Sequence, residues 1–374
     1  MQKKLISALL SVAMVATLLV GCSAKVETTS ETTTTTTEAP AAEEKAEEAA
    51  PAEEAAPAAE AGKGTYALIT KSAGNPYNEK EAEGFQKAVE AMGGTAIIQH
   101  PESATADAQI SVIQSLISQG VDSICIAAND ANALEAALTE AADAGIKVCS
   151  LDSATNAASR LVHVNQAGIT EVGQALLDAV LDLTGGEGQW AIVSATSQAT
   201  NQNAWIDAMK SIAESDAKYS KLELVEVAYG DDEPQKSTDV TQALLTNYPD
   251  LKCICAPTTV GVAAAAKVLQ DQKSSVKLTG LGLPSEMAEY IGADDAHACP
   301  YMFLWNPIDI GRLGAYTSAA LVNGDINGAE GDSFTAGDMG DYTVVAASDG
   351  GTEIILGPPF EFNPENIEEW KTVY

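Results

Sequence analysis

Gln189 to Trp205 reads QWAIVSATSQATNQNAW. Trp190-Ala191-Ile192-Val193 is apolar, too short for a helix and rich in β-branched residues, so it is expected as a buried strand ending at Ser194. The chain then turns polar through Thr200 and resumes a helical pattern that becomes clear from Asn203. A strand, a loop and a helix start leave three amides and an indole at the carboxyl end of a strand. In open α/β sheets that is where ligands sit. Amides donate and accept, so they suit hydroxyl groups, and an indole can cover an apolar ring face. The same residues also fit an ordinary helix start with a buried Trp.

Outward from this stretch, strands and helices alternate. Before it, strands are expected at Thr65–Thr70, Thr95–Gln99, Ser123–Ala127, Lys147–Leu151 and Val162–Asn165, with helices between the first four. The helix after the first strand carries Ala82, Phe85, Val89 and Met92 on one face and stops at Gly93-Gly94. After it, strands are expected at Leu222–Val227, Lys252–Ala256, Lys277–Leu281 and Cys299–Trp305. Helices are expected over about 170–183, 236–247, 261–270, 286–291 and 307–322. The alternation predicts an α/β chain of two doubly wound, parallel-sheet domains.

The first residues address the compartment. Lys3-Lys4 precedes an apolar run, Leu5 to Val20, and Leu19-Val20-Gly21-Cys22 follows as a small-residue cleavage site. This is the pattern of a secretory signal over 1–21, and Cys22 is similar to the lipidated first residue of a bacterial lipoprotein. Residues 22–63, with the Thr32–Thr37 tract and Glu, Ala and Pro repeats, have almost nothing to bury and are expected to form a disordered acidic tether.

The chain has a formal charge of −33; the leader carries +2 and the tether −7, which leaves −28 on residues 64–374. Such a surface repels nucleic acid and anionic lipid and disfavours an anionic ligand. Beyond Cys22, the cysteines at 125, 149, 253, 255 and 299 all lie in apolar runs and are expected to be buried thiols. The three histidines, at 100, 163 and 297, have no metal-ligand spacing, so no metal and no cofactor is expected. A phosphate-binding glycine loop and a G-x-S-x-G nucleophile elbow are both missing, and no His sits at a strand tip beside a nucleophile. An enzyme is therefore not expected.

Several stretches in order carry a resemblance. They are Thr200-Asn201-Gln202-Asn203-Ala204-Trp205-Ile206, Tyr229-Gly230-Asp231-Asp232, Ala256-Pro257-Thr258-Thr259-Val260-Gly261, Leu278-Thr279-Gly280-Leu281-Gly282, Leu304-Trp305-Asn306-Pro307 and Leu356-Gly357-Pro358-Pro359-Phe360. From about Thr65 onward the chain resembles type I periplasmic binding proteins, the solute receptors of ABC importers. Within them it is similar to rhamnose-binding and autoinducer-2-binding receptors. The resemblance implies a monomer whose two domains close over a ligand about a multi-strand hinge. It implies a first domain of 64–165 plus about 306–324 and a second of 166–305 plus about 325–374.

Carried over residue by residue, the resemblance implies a ligand site of Lys71, Tyr77, Asn132, Asp152, Asn201, Gln202, Pro257, Thr259 and Trp305. Asn132 and Asn201 stand where autoinducer-2 receptors carry Asp, and Thr259 replaces a smaller Ala. Losing two charge-assisted acceptors, each worth roughly 1.5–3 kcal/mol, favours a neutral deoxyhexose such as L-rhamnose over autoinducer-2. The partners implied are a small neutral sugar, ABC permease subunits and, through Cys22, the membrane's outer face.

Overall fold

Residues 63–374 are described by a computed structural model. The leader, Cys22 and all of the tether except Lys63 lie outside the described residues. The first half runs β1 (Thr65–Ile69), α1 (Pro76–Ala91), β2 (Thr95–Gln99), α2 (Ala106–Gln119), β3 (Ser123–Ile126), α3 (Glu135–Asp143), β4 (Lys147–Leu151), β5 (His163–Asn165). The second runs α4 (Ile169–Leu183), β6 (Gly188–Ser194), α5 (Thr200–Ser215), β7 (Leu222–Tyr229), α6 (Pro234–Asn247), β8 (Leu251–Ala256), α7 (Thr259–Asp271), β9 (Lys277–Gly280), α8 (Pro284–Met287), β10 (Met302–Leu304). The chain ends with α9 (Pro307–Asn323), β11 (Ser333–Thr335), β12 (Asp341–Thr343), β13 (Val345–Ala346), β14 (Thr352–Ile355), β15 (Phe360–Phe362) and α10 (Ile367–Trp370).

Two main sheets result, in the orders β13-β14-β5-β4-β3-β1-β2 and β7-β6-β8-β9. All their pairings are parallel except β13 with β14. The first sheet is covered on both faces, as a parallel sheet must be. Along β1, Tyr66 and Leu68 enter the core shared with Phe85 of α1 and Leu313 of α9. Ala67 and Ile69 point the other way, into the core with Ile113 of α2 and Leu138 of α3. In the second sheet β6 lies between β7 and β8, and its residues from Trp190 to Ser194 are buried.

Three segments cross between the two lobes. β5 leads into α4, which packs on α5; β10 leads into α9, which packs on α1; β14 leads to β15, which pairs with β10. Asn306 caps α9 by accepting from the Ile308 N–H, with Pro307 in its first turn.

The structure corrects the expected boundaries in one respect that matters. Residues 325–374 do not travel together with the second lobe. β14 pairs with β5, and Phe334, Val344 and Ile354 join the first lobe's core, so only the segment from about Phe360 belongs with the second. Five strands of two to four residues are too short for an alternating pattern to register. Several helices also start earlier than their apolar periodicity suggested: α1 at Pro76, α5 at Thr200, α6 at Pro234, α7 at Thr259 and α8 at Pro284. Polar first turns hide the start; in α5 Asn201 Oδ1 accepts from the Gln202 N–H within that turn. The expected helix 286–291 is a single turn, α8, followed by a 3-10 segment, Ala288–Tyr290.

His163 is buried in β5 with its Nδ1 2.9 Å from Ser150 Oγ. Burial, then the charge of Arg160, pushes its pKa down to about 3. In the unfolded chain it titrates near ~6.5, so between these values the unfolded state binds more protons. Stability contributed by the neutral ring is complete above about pH 6.5 and is lost as pH falls toward 3. Denaturant titrations at pH 6, 5 and 4 are expected to show a shallower fall for His163→Gln than for wild type. Equal slopes would remove His163 from the acid sensitivity.

Candidate functional site

The strand ends and the crossings face one another across a cleft. β4 is followed directly by Asp152, whose φ of +56° is left-handed, a conformation that Asp tolerates better than most side chains. Its carboxylate is a hub. Tyr77 Oη donates to Oδ1 at 3.2 Å, while Ser153 Oγ and Asn201 Nδ2 donate to Oδ2 at 3.1 and 3.3 Å. Lys71 Nζ lies 3.5 Å from Oδ2 and donates to Asn201 Oδ1 at 2.9 Å. Trp305, on the β10–α9 crossing, donates its indole N–H to Tyr77 Oη at 2.6 Å. Its ring packs edge-on against Tyr77 and lies 5.5 Å from that of Trp205.

The first lobe thus brings Lys71, Tyr77 and Asp152 to the cleft, and the second brings Asn201, Gln202, Pro257 and Thr259. Together with Trp305 they line one cavity. Thr259 Oγ1 donates across the cleft to Asn75 Oδ1 at 3.4 Å, and Asn75 itself caps α1 by accepting from the Tyr77 N–H. Gln202 Oε1 is buried with no hydrogen-bond partner. The volume left between these groups is about 40 Å³, room for little more than a water or two at ~30 Å³ each.

Asn132 is not brought into this cavity. It is exposed on the loop before α3, bonded through Oδ1 to Asn156 Nδ2 at 3.2 Å, and lines an adjoining cavity instead. Trp205, whose indole the opening stretch put forward for a ring face, also lines the first cavity; Asn75, Asp232 and Thr258 line it too and were not among the expected ligand residues. Asp232 carried a signal, since it lies in the Tyr229–Asp232 stretch singled out for resemblance. Asp231 and Asp232 both take left-handed φ angles, +55° and +53°, a costly arrangement for two side-chain-bearing residues. The Asp232 carboxylate accepts from Thr258 Oγ1, and burial raises its pKa against the lowering effect of that bond.

The arrangement offers both donors and acceptors, with one cation, Lys71, beside two carboxylates, Asp152 and Asp232, and aromatic rings next to them. Among the described residues no cluster of three or more His, Cys, Asp or Glu could hold a metal ion. The cysteines at 125, 149, 253, 255 and 299 are buried free thiols. No described helix is long and apolar enough to cross a membrane.

Residues 66–326 match the family described as periplasmic binding protein domain. The chain belongs to this family; its fold is that of a type I periplasmic binding protein, and it is a solute-binding protein, not an enzyme. An ABC transporter solute binding protein from Clostridium phytofermentas, solved with bound L-rhamnose, is 63% identical, covering 83% of this chain and 99% of its own, with a TM-score of 0.82. A sugar ABC transporter structure from Actinomyces odontolyticus ATCC 17982 is 37% identical over 83% and 98%, with a TM-score of 0.66. LsrB from Clostridium saccharobutylicum in complex with AI-2, 24% identical over 82% and 99% with a TM-score of 0.75, shares the fold.

Proposed function

We propose that this protein is the lipid-anchored, extracytoplasmic receptor of an ABC sugar importer and that it captures a neutral deoxyhexose such as L-rhamnose between its lobes. The observation that carries the reading is the ring of hydrogen bonds across the cleft. Lys71, Asp152, Asn201, Tyr77 and Trp305 satisfy one another in a space smaller than a pyranose. A polyol has the same donors and acceptors, so its hydroxyls replace these bonds one for one as the lobes part and close again, about the three crossings. Trp305 and Trp205 supply the apolar face that a sugar's C–H surface prefers. The rhamnose-bound relative supports the choice of sugar. A micromolar site needs about −8 kcal/mol, within reach of a few such exchanges plus one stacked ring.

The nine residues from Lys71 to Trp305 named above are the proposed ligand set, with Asn132 at its edge. The protein acts as a monomer that delivers sugar to permease subunits, held at the outer face of the membrane through lipidated Cys22. Calorimetric titration of the purified protein with L-rhamnose and with autoinducer-2 tests the reading. Binding of rhamnose alone is expected; binding of autoinducer-2 alone makes the protein a signal receptor, and binding of neither removes the ligand assignment. Mass spectrometry of the mature N-terminus tests the anchor, since an unmodified Cys22 would end that part.

Asp232→Asn keeps a residue that accepts the left-handed backbone but removes the half-buried carboxylate. Rhamnose affinity is expected to fall about five- to thirtyfold, the scale of 1–2 kcal/mol for one such hydrogen bond, with little change in melting temperature. Unchanged affinity would mean that Asp232 only shapes the loop.

A further inference from the structure

A second cavity of about 350 Å³ adjoins the first, and Asp152, Asn201 and Trp205 line both. Small-molecule sites span roughly 300–1,000 Å³, so the outer cavity is of ligand size and the inner one is not. The partition between them includes the 3.3 Å hydrogen bond from Asn201 Nδ2 to Asp152 Oδ2. That bond joins two side chains, so a ligand oxygen can part it.

The outer cavity has polar walls. Arg160 is buried and pairs with Asp349 at 2.7 Å, and Asn165 Nδ2 donates to Glu353 Oε2 at 2.8 Å. Thr155, Gln166 and Thr200 add further polar residues to its lining. The charges nearly cancel: Asp349 answers Arg160, Lys71 answers Asp152, His163 is neutral, and Glu353 remains. That balance rejects an anion and suits an uncharged polyol. Asn132 and Asp349 are exposed at the rim, so the cavity reaches solvent there.

We propose that the site takes a glycoside: a deoxyhexose ring in the inner compartment, once the lobes part and its mutually bonded side chains turn to the sugar, and a second uncharged, hydroxylated ring in the outer one. The inference rests on the sugar reading above and extends it from a monosaccharide to a disaccharide-sized ligand. Asn132 then contacts the second ring, which explains its separation from the other site residues.

The test is calorimetric titration of the full chain with L-rhamnose and with a methyl-capped rhamnosyl-rhamnose disaccharide. The disaccharide is expected to bind at least as tightly as rhamnose. Ala204→Phe, which fills the outer cavity from α5, is expected to weaken the disaccharide at least tenfold and rhamnose by no more than about twofold. Ala154→Phe, on the opposite wall, repeats the test should the first variant fail to fold. Rhamnose binding with a weaker disaccharide, or an equal loss of both in a folded variant, overturns the second compartment and leaves the sugar reading intact. Binding of neither sugar by wild type overturns both.

Discussion

Asp152→Asn is expected to weaken L-rhamnose binding about ten- to 150-fold. Its carboxylate accepts from Tyr77, Ser153 and Asn201 and pairs with Lys71. An amide has one acceptor oxygen, so its nitrogen faces donors, and Lys71, itself buried, loses its ion-pair partner. A single charge-assisted hydrogen bond is worth roughly 1.5–3 kcal/mol, which sets the range. Asparagine is the informative replacement because it accepts φ near +56° where alanine would add backbone strain of its own. The Tyr77 hydroxyl would also be freed to turn away from Trp305, loosening the ring expected to lie on the sugar. Titration of the variant decides the matter; an affinity within twofold of wild type would remove Asp152 from the centre of the site.

Gly84→Ala is expected to cost about 3 kcal/mol or more, above the usual range for added core volume. An added Cβ at Gly84 of α1 would lie 2.0 Å from the Ile308 carbonyl oxygen of α9, and one at Gly311 would lie 1.9 Å from the Glu81 carbonyl oxygen. Both obstacles are backbone, so no side chain can swing aside. The two helices must separate, and α1 carries Tyr77 in its first turn. At roughly 2 °C per kcal/mol for a large domain, a fall in melting temperature of about 6 °C or more is expected. A melt within a degree of wild type would show that the helices part freely. Affinity should fall too, since Asn75 and Tyr77 would shift with the helix.

Much of this arrangement was legible because its central strands, β1, β3, β4, β6 and β8, are buried on both faces and read as apolar runs. β2 and β4 lie at their expected boundaries, and β6 starts two residues before its own. The site was legible where a residue stands at a strand tip, as with Asp152, or within a matching stretch, as with Asn201 and Gln202. It was illegible where the side chain reaches the cleft from the residue before a helix and outside any matching stretch, as with Asn75; Asp232 lay in a matching stretch but follows its strand by three residues, so its place at the cleft did not show. Asn132 stood in a strand-tip loop by sequence, yet its side chain is held at the rim by Asn156. The last fifty residues were unreadable for a simpler reason: two- to four-residue strands carry no period.

The return of α9 and β14 to the first lobe has a consequence for how the molecule is made. A chain emerging from its N-terminus cannot finish the first lobe at residue 165. That core waits for Leu313 and Ile354, while β10 in the second lobe waits for its partner β15. Both lobes therefore reach their final pairings only as the last tenth or so of the chain arrives, which departs from the common order of domains closing one after another during synthesis. A polypeptide with this wiring stays threadable until it is nearly complete, which suits passage through a narrow export channel before folding.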